Sequence, residues 1–175
     1  ENMESLEKGM SNLYRHINNL KEKFGLNVIV AINKYNTDTE TELNFVKTEL
    51  EKINVSSSIV ESWAKGGDGA IDIAQKLVEL TEQEEHFKYI YELDESIKEK
   101  IDKISTEIYG AKNVIYSEKA LKNIKRIEEL GYSNLPVCIA KTQYSFSDDA
   151  KKLQCDEPFE INVRDVEIKA GAGFI

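Results

Sequence analysis

The chain has 175 residues, of which 41% are hydrophobic, 31% are charged and 2 are proline. This composition excludes disordered, collagen-like and low-complexity proteins, and the length suits one ordinary domain or two small ones. The formal net charge of -9 opposes attraction to nucleic-acid phosphates and anionic lipids, so we expect no nucleic-acid partner and no membrane partner. A single cationic pocket is still compatible with this charge, because net charge says little about one cleft.

The sequence contains no pattern that predicts a metal site or a disulfide framework. Cys138 and Cys155 lack CxxC spacing, so we interpret both as reduced packing residues of a cytoplasmic protein. His16 and His86 lie outside any carboxylate or cysteine constellation and are interpreted as structural. The longest apolar run is far shorter than the ~20 residues that cross a bilayer. Neither end resembles a natural terminus, which favours a piece of a longer polypeptide.

The first half of the chain alternates helical and strand patterns. Apolar residues at spacings of three and four predict an amphipathic helix over residues 3–24, which Gly25 ends. The β-branched run over residues 26–32 predicts a parallel strand that is covered on both faces.

A second helix and a second strand are predicted after a polar turn at residues 33–39. Thr37 or Asp38 is expected to cap this helix, whose apolar spacing continues to Ile53. The next strand is predicted over residues 57–61.

Residues 63–69 are predicted to form a glycine-rich loop, and another helix follows it. The apolar face of that helix is formed by Ile71, Ala74, Leu77 and Val78. The order helix, strand, helix, strand, helix is typical of an α/β fold, here a Rossmann-like parallel sheet layer with helices on its faces. We expect this subdomain to span residues 1–85, because the acidic stretch at residues 79–85 marks a surface boundary.

Residues 86–175 are predicted to form a second, smaller α/β subdomain in which helices precede strands. Helical spacing runs from Leu93 through Ile97, Ile101 and Ile104 to Ile108, and Ser117 is expected to cap a helix that stops at Gly131. Strands are predicted over residues 136–140 and 159–169, the latter with a bulge at Arg164 and Asp165.

Three polar loops follow predicted strands, at residues 33–38, 62–69 and 141–145. Ligands of open α/β sheets bind at the carboxyl ends of strands, so these loops are the candidate sites. In the first loop, Asn33, Lys34 and Asp38 resemble the base-recognition loop of P-loop nucleotide-binding proteins, with two residues too many between them. The alternative is a polar turn whose Asp38 caps a helix.

The second loop places Trp63 beside Gly66, Gly67 and Gly69. Glycines let a backbone approach a ligand closely, and an indole offers a flat stacking face. The alternative is that Trp63 packs on a neighbouring helix.

Six segments of the chain resemble a known family: INKYNTDTETEL, SWAKGGDGA, FKYIYELDESIKEKI, EIYGA, LGYSNLPVCIAKTQYSFSDD and VRDVEIKAGAGFI. Together they resemble formate–tetrahydrofolate ligase over nearly all 175 residues, most specifically at WAKGG and AKTQYS. The resemblance implies a cytoplasmic ligase of one-carbon metabolism. With Mg-ATP it activates formate as formyl phosphate, which N10 of tetrahydrofolate then captures.

Members of that family are much longer than this chain. Their Gly-rich phosphate loop lies in an N-terminal part that is not found here, so we expect this chain alone to be inactive and to contribute no catalytic residue. The intact enzyme is expected to be a homo-oligomer that takes formate, tetrahydrofolate and ATP as substrates.

The resemblance also implies a pterin pocket. Its stacking pair falls on Tyr35, where the family usually has Phe, and on Trp63, and its aliphatic wall falls on Ile59, where the family has Leu. A pterin and an adenine are both flat with polar rims, so the sequence leaves open which heterocycle is bound. Candidates for contact with the base, a phosphate or the glutamate tail of folate are Asn33, Asp38, Lys65, Gly66, Gly67 and Lys141.

A rival hypothesis is a non-catalytic nucleotide-binding or scaffold module. An upstream reading frame that encodes a Gly-rich loop ending in Gly-Lys-Thr or Gly-Lys-Ser would favour the enzyme.

Overall fold

A computed structural model of the chain describes residues 2–153 and 157–175. The prediction for Cys155 therefore lies outside the described residues. The chain divides into two compact units, Glu1–Lys88 and Tyr89–Ile175. Each unit combines a two-stranded parallel sheet with helices, which confirms the predicted α/β class. The functional division that the sequence places after residue 85 stays a prediction.

The first helix of unit 1, α1, spans Met3–Asn18 and continues as a π-helical turn over Asn19–Lys23. The helix predicted at residues 3–24 is thus confirmed. Gly25 follows with a φ of +68°, and a Cβ there would collide with the carbonyl oxygen of His86. Glycine is required on both counts, because other residues rarely adopt positive φ and this approach leaves no space for a side chain.

Strand β1 spans Ile29–Asn33 and pairs in parallel with β2, Ser56–Val60, in a register that sets Asn33 opposite Val60. The helix that connects them, α2, spans Glu40–Lys52. Both strands and the helix confirm predicted elements, with β1 shifted towards the carboxyl end.

The predicted cap of α2 is wrong by one or two residues, because Thr39 is the N-cap. The Thr39 hydroxyl accepts a hydrogen bond from the Glu42 N–H at 3.2 Å, and the Glu42 carboxylate accepts one from the Thr39 N–H at 2.9 Å. This reciprocal capping box requires Thr followed three residues later by Glu. Asp38 has Thr41 at that spacing, and Thr37 has Glu40, whose carboxylate is paired with Lys34 instead.

Helices cover both faces of the unit 1 sheet. One face packs on α1 and α2 in a cluster of Leu13, Ile17, Val28, Val30, Ile32, Val46, Leu50 and Val55. On the other face, the buried Ser58 hydroxyl donates to the Asp72 carboxylate of α4, Ile71–Thr81, at 2.5 Å. Helix α4 confirms the predicted helix, although its Ile71, Leu77 and Val78 are exposed.

The first helix of unit 2, α5, spans Ile97–Lys103 and continues as a π-helical turn over Ile104–Ile108. The predicted start at Leu93 is wrong, because Ser96 is the N-cap. Strand β3, Asn113–Tyr116, follows and pairs in parallel with β4, Glu160–Val163. Helix α6 lies between them in sequence at Glu118–Glu129, and Ser117 caps it as predicted. The predicted order of helices before strands is wrong, because β3 precedes α6.

Two strand predictions in unit 2 also need correction. Residues 136–140, all of them described, lie outside any strand, although Cys138 N–H donates to the Ile175 carbonyl and Ile175 N–H donates to the Pro136 carbonyl. The strand predicted at residues 159–169 is limited to β4 and ends where the bulge was expected. Cys138 is a free thiol but is exposed, so its interpretation as a packing residue is wrong.

No helix within the described ranges has both the length and the apolar character needed to cross a membrane.

Candidate functional site

The carboxyl ends of β1 and β2 bring the first two candidate loops to one edge of the unit 1 sheet. The parallel pairing extends one residue past β1, because Lys34 N–H donates to the Val60 carbonyl at 3.0 Å. Tyr35 directly follows Lys34, and Trp63 lies three residues after Val60. The side chains of Tyr35 and Trp63 are 65% and 81% exposed, respectively. Two aromatic rings therefore stand in solvent beside neighbouring strand ends.

The Tyr35 turn is closed by reciprocal hydrogen bonds to Asp38. The Tyr35 N–H donates to Oδ2 of Asp38 at 2.8 Å, and the Asp38 N–H donates to the Tyr35 carbonyl at 3.1 Å. A side chain that bonds the backbone of its own turn restricts the conformations of that turn. The predicted role of Asp38 as helix cap is thus wrong, and its carboxylate holds the aromatic turn instead.

The Trp63 segment is helical rather than an open loop, which corrects the sequence prediction. Helix α3 spans Ser62–Lys65, and a 3-10 helix follows over Gly66–Ala70. The Glu61 N–H donates to the Gly69 carbonyl at 3.0 Å, so residues 61–69 form a closed turn. With 81% of its surface exposed, Trp63 does not pack on a neighbouring helix, and that alternative is wrong.

The first two glycines of the closed turn leave room around the backbone. Gly66 has a φ of +58°, which side-chain-bearing residues rarely adopt. A Cβ built on Gly66 or Gly67 would meet no atom within 4 Å. A ligand can therefore reach this stretch of main chain, as the sequence hypothesis requires.

Alternating charges connect the two turns. Lys34 Nζ lies 2.8 Å from a Glu40 carboxylate oxygen, and Lys65 Nζ lies 2.6 Å from Oε2 of Glu61. The hydrogen bond from Lys65 lowers the pKa of Glu61, and the charge of Lys34 lowers it further. The Glu40 hydrogen bond raises the pKa of Lys34, as do the charges of Glu61 and Asp38. The Glu61 carboxylate and the Lys34 ammonium group are therefore both held in their charged forms at neutral pH.

The other candidates of unit 1 lie on the strands themselves. Asn33 is the exposed last residue of β1, and Ile59 is a half-buried residue of β2 opposite Ile32. Ile59 is therefore four residues before Trp63 on the strand that leads into its turn. The assignment of Asn33 and Ile59 to a ligand site stays a prediction.

Lys141, the candidate in unit 2, points at its own loop. Its Nζ donates to the carbonyls of Thr142, Ser145 and Ser147 and lies 4.7 Å from the centre of the Tyr109 ring. Backbone oxygens and an aromatic face thus surround the ammonium group. Its predicted contact with a phosphate or a glutamate tail is untested.

Among residues 2–153 and 157–175, no group of three or more His, Cys, Asp or Glu side chains could hold a metal ion. Burial lowers the pKa of His16, which favours the neutral form of that imidazole.

Sequence reasoning missed the role of Glu61 in this site and the contact that Gly69 makes with it. The spacing of Glu61 and Lys65, four positions apart, was a usable signal for an ion pair on a helical turn. No local pattern shows that the Gly69 carbonyl returns to Glu61, because that contact depends on the path of the whole turn.

Comparison with known proteins gives one family. The family model for formate–tetrahydrofolate ligase matches residues 1–175. The formate–tetrahydrofolate ligase of Campylobacter curvus (strain 525.92) is 48% identical over 174 residues, which cover 99% of this chain and 32% of that protein. The Staphylococcus aureus (strain JH9) protein of the same name is 47% identical over 175 residues, which cover 100% of this chain and 31% of that protein. The chain thus spans about a third of the length of these curated relatives.

Proposed function

Since the chain belongs to the formate–tetrahydrofolate ligase family, we propose that its full-length protein joins formate to N10 of tetrahydrofolate at the expense of ATP. In the proposed reaction, formate attacks the γ-phosphoryl group of ATP and gives formyl phosphate and ADP. N10 of tetrahydrofolate then attacks the formyl carbon, and phosphate leaves. Residues 1–175 supply the surface that binds the flat heterocycle of the folate.

The observation that carries this proposal is the exposure of Tyr35 and Trp63 on closed turns at one sheet edge. Burying large aromatic side chains is favourable, so their exposure in solvent leaves free energy available for a ligand. A pterin fits this chemistry, because its two faces are polarisable and its hydrogen-bonding groups lie at the rim. Charged and amide groups of Asn33, Lys34 and Lys65 are near the same edge and suit that rim.

These residues contribute to the reaction through binding and orientation. Holding the folate against two turns restrained by hydrogen bonds would place N10 for attack. Such alignment converts a bimolecular encounter into an effectively unimolecular step. The chemistry of the phosphate is assigned to the remainder of the full-length protein.

The first test replaces the indole in the full-length enzyme. Stacking on an aromatic ring is worth roughly 1 to 3 kcal/mol per base in nucleic-acid sites, so Trp63→Ala should weaken tetrahydrofolate about ten-fold to a hundred-fold. Tyr35→Leu should act in the same direction more mildly, and Tyr35→Phe should be nearly silent because the ring is kept. Isothermal titration with tetrahydrofolate and, separately, with ATP measures both affinities.

A matched control is Tyr89→Ala, which removes an exposed ring of unit 2 that has no place in the proposed site. It should leave both affinities unchanged. If Trp63→Ala spares tetrahydrofolate and weakens ATP, the surface binds adenine and the pterin assignment is wrong.

A second test uses the 175-residue chain alone with ATP, formate and tetrahydrofolate. Its sequence contains no Gly-Lys-Ser or Gly-Lys-Thr phosphate loop, and backbone N–H groups of such a loop are what cradle a triphosphate. We expect no 10-formyltetrahydrofolate above a blank without protein. Turnover by this chain would contradict the proposal that the remainder of the full-length protein performs the chemistry of the phosphate.

A further inference from the structure

The turn that carries Trp63 is built around the backbone of Glu61. The Glu61 carbonyl accepts hydrogen bonds from the N–H groups of Ala64 and Lys65 at 3.0 and 2.9 Å, and its N–H donates to Gly69 at 3.0 Å. Both backbone polar groups of Glu61 are therefore committed to the turn. Any displacement of Glu61 must move the first helical residues that follow it, including Trp63.

The side chain of Glu61 adds an electrostatic restraint. Its carboxylate accepts a hydrogen bond from Lys65 at 2.6 Å, and the charge of Lys34, on the neighbouring aromatic turn, also acts on it. Lys34 is itself paired with Glu40 at 2.8 Å. A single carboxylate is thus attracted by one ammonium group from each of the two turns.

Gly69 restrains Glu61 by close backbone approach. A Cβ added to Gly69 would lie 2.5 Å from the Glu61 carbonyl carbon, 2.6 Å from its oxygen and 2.8 Å from the Ser62 nitrogen. These are main-chain atoms, which cannot rotate aside as a long side chain can. Any larger residue at position 69 must push the 61–62 backbone away, whereas Gly67 in the same turn faces open space.

From these contacts we propose that Glu61 and Gly69 are positioning residues, which set the orientation of the Trp63 indole for a flat heterocycle. The inference rests on the proposed function for its ligand, but its structural half concerns the unliganded chain. Neither residue needs to contact the ligand. They affect binding by setting the position of the Trp63 indole and by limiting its mobility.

Trp63 is the single tryptophan of the chain, so its fluorescence reports on this turn alone. In the unliganded 175-residue chain, Gly69→Ala should shift the emission maximum, lower the anisotropy and change acrylamide quenching. Gly67→Ala is the matched control, because the same methyl group there meets open space; its unliganded spectrum should match that of the unmodified chain. Glu61→Gln, which keeps size and removes charge, should lower the anisotropy to a smaller extent.

Kinetics of the full-length enzyme supply the second readout. Misplacing one stacking face should raise KM for tetrahydrofolate about ten-fold in Gly69→Ala and leave KM for ATP and for formate unchanged. Circular dichroism checks that each variant is folded; if Gly69→Ala does not fold, Glu61→Gln decides with the same two readouts. Unchanged Trp63 fluorescence in a folded Gly69→Ala chain, or an equal rise in all three KM values, would overturn the proposal.

The fluorescence of the isolated chain and the binding by the full-length enzyme distinguish a failure of the positioning role from a failure of the proposed function. If Gly69→Ala alters the unliganded fluorescence of the 175-residue chain but Trp63→Ala leaves the affinity of the full-length enzyme for tetrahydrofolate unchanged, the positioning role stands. The pterin assignment then fails.

Discussion

The lysines beside the candidate site of unit 1 and the buried lysine of unit 2 make opposite kinds of contact. In unit 1, Lys34 and Lys65 pair with carboxylates in solvent. In unit 2, Lys100 is fully buried and donates to the carbonyls of Leu93, Ser133 and Leu135 at 2.5, 2.6 and 3.3 Å. The surroundings act oppositely on the ammonium groups, since burial lowers the pKa of Lys100 and the Glu40 hydrogen bond raises that of Lys34.

The difference follows from how each region satisfies its backbone. The turns of unit 1 are closed by their own N–H and carbonyl groups, so their lysines only balance charge. Residues 132–153 of unit 2 contain neither helix nor strand, so carbonyls in this stretch that are shielded from water need side-chain donors. Lys100 and Lys141 supply those donors. Lys100 and Lys141 thus stabilise the fold of unit 2, whereas Lys34 and Lys65 lie at the exposed sheet edge of unit 1 where a ligand can bind.

The largest effect that would test this comparison is expected for Lys100→Met. Methionine fills similar volume but removes the donor of three carbonyl groups. The carbonyl of the exposed Leu93 can bind water, whereas each of the other two costs about 1 to 3 kcal/mol if it stays unsatisfied. Relief of the buried charge offsets part of this, so we expect the free energy of unfolding to fall by about 2 to 4 kcal/mol. Urea denaturation followed by circular dichroism measures it. Lys122→Met, on the exposed face of α6, is the control and should change little.

Lys141→Met should destabilise the chain less, by about 1 to 2 kcal/mol. Lys141 is half-buried whereas Lys100 is fully buried, so water can replace part of the contacts that its ammonium group makes. The same variant in the full-length enzyme sharpens the comparison. A stability loss with unchanged substrate KM values would make Lys141 a second structural donor. A rise in KM for tetrahydrofolate or ATP without a stability loss would instead support its predicted contact with an anion.

Much of the fold could be predicted from sequence, because apolar spacing directly records which face of a helix is buried. Helices α1, α2 and α6 illustrate this. Strand β3 was missed because its four residues are too short to establish a period. The strand predicted at residues 136–140 failed for another reason. Its residue types favour a strand, but a strand also needs a partner along its length. This segment exchanges backbone hydrogen bonds with Ile175 alone, and strand propensity does not predict which distant residue will pair.

The candidate site divides in the same way. Trp63 and Tyr35 were found from residue type and family resemblance, since the sequence itself shows which side chains are aromatic. The parts played by Asp38, Glu61 and Gly69 were not found, because each depends on a backbone group brought close by the turn. Local patterns such as Thr39 with Glu42 can be read once the spacing is noticed, whereas the Gly69 approach requires coordinates.

The smallest effect is expected for Lys65→Met, which tests whether an exposed lysine of unit 1 contributes to the stability of the fold. Lys65 is exposed and pairs with Glu61 in solvent, where an ion pair typically contributes less than about 1 kcal/mol. We therefore expect the free energy of unfolding in urea to change by no more than about 0.5 kcal/mol. Raised salt should abolish even that difference, because exposed charges are screened. A loss as large as that of Lys100→Met would contradict the comparison, since it would show that the exposed edge also depends on a lysine for its fold.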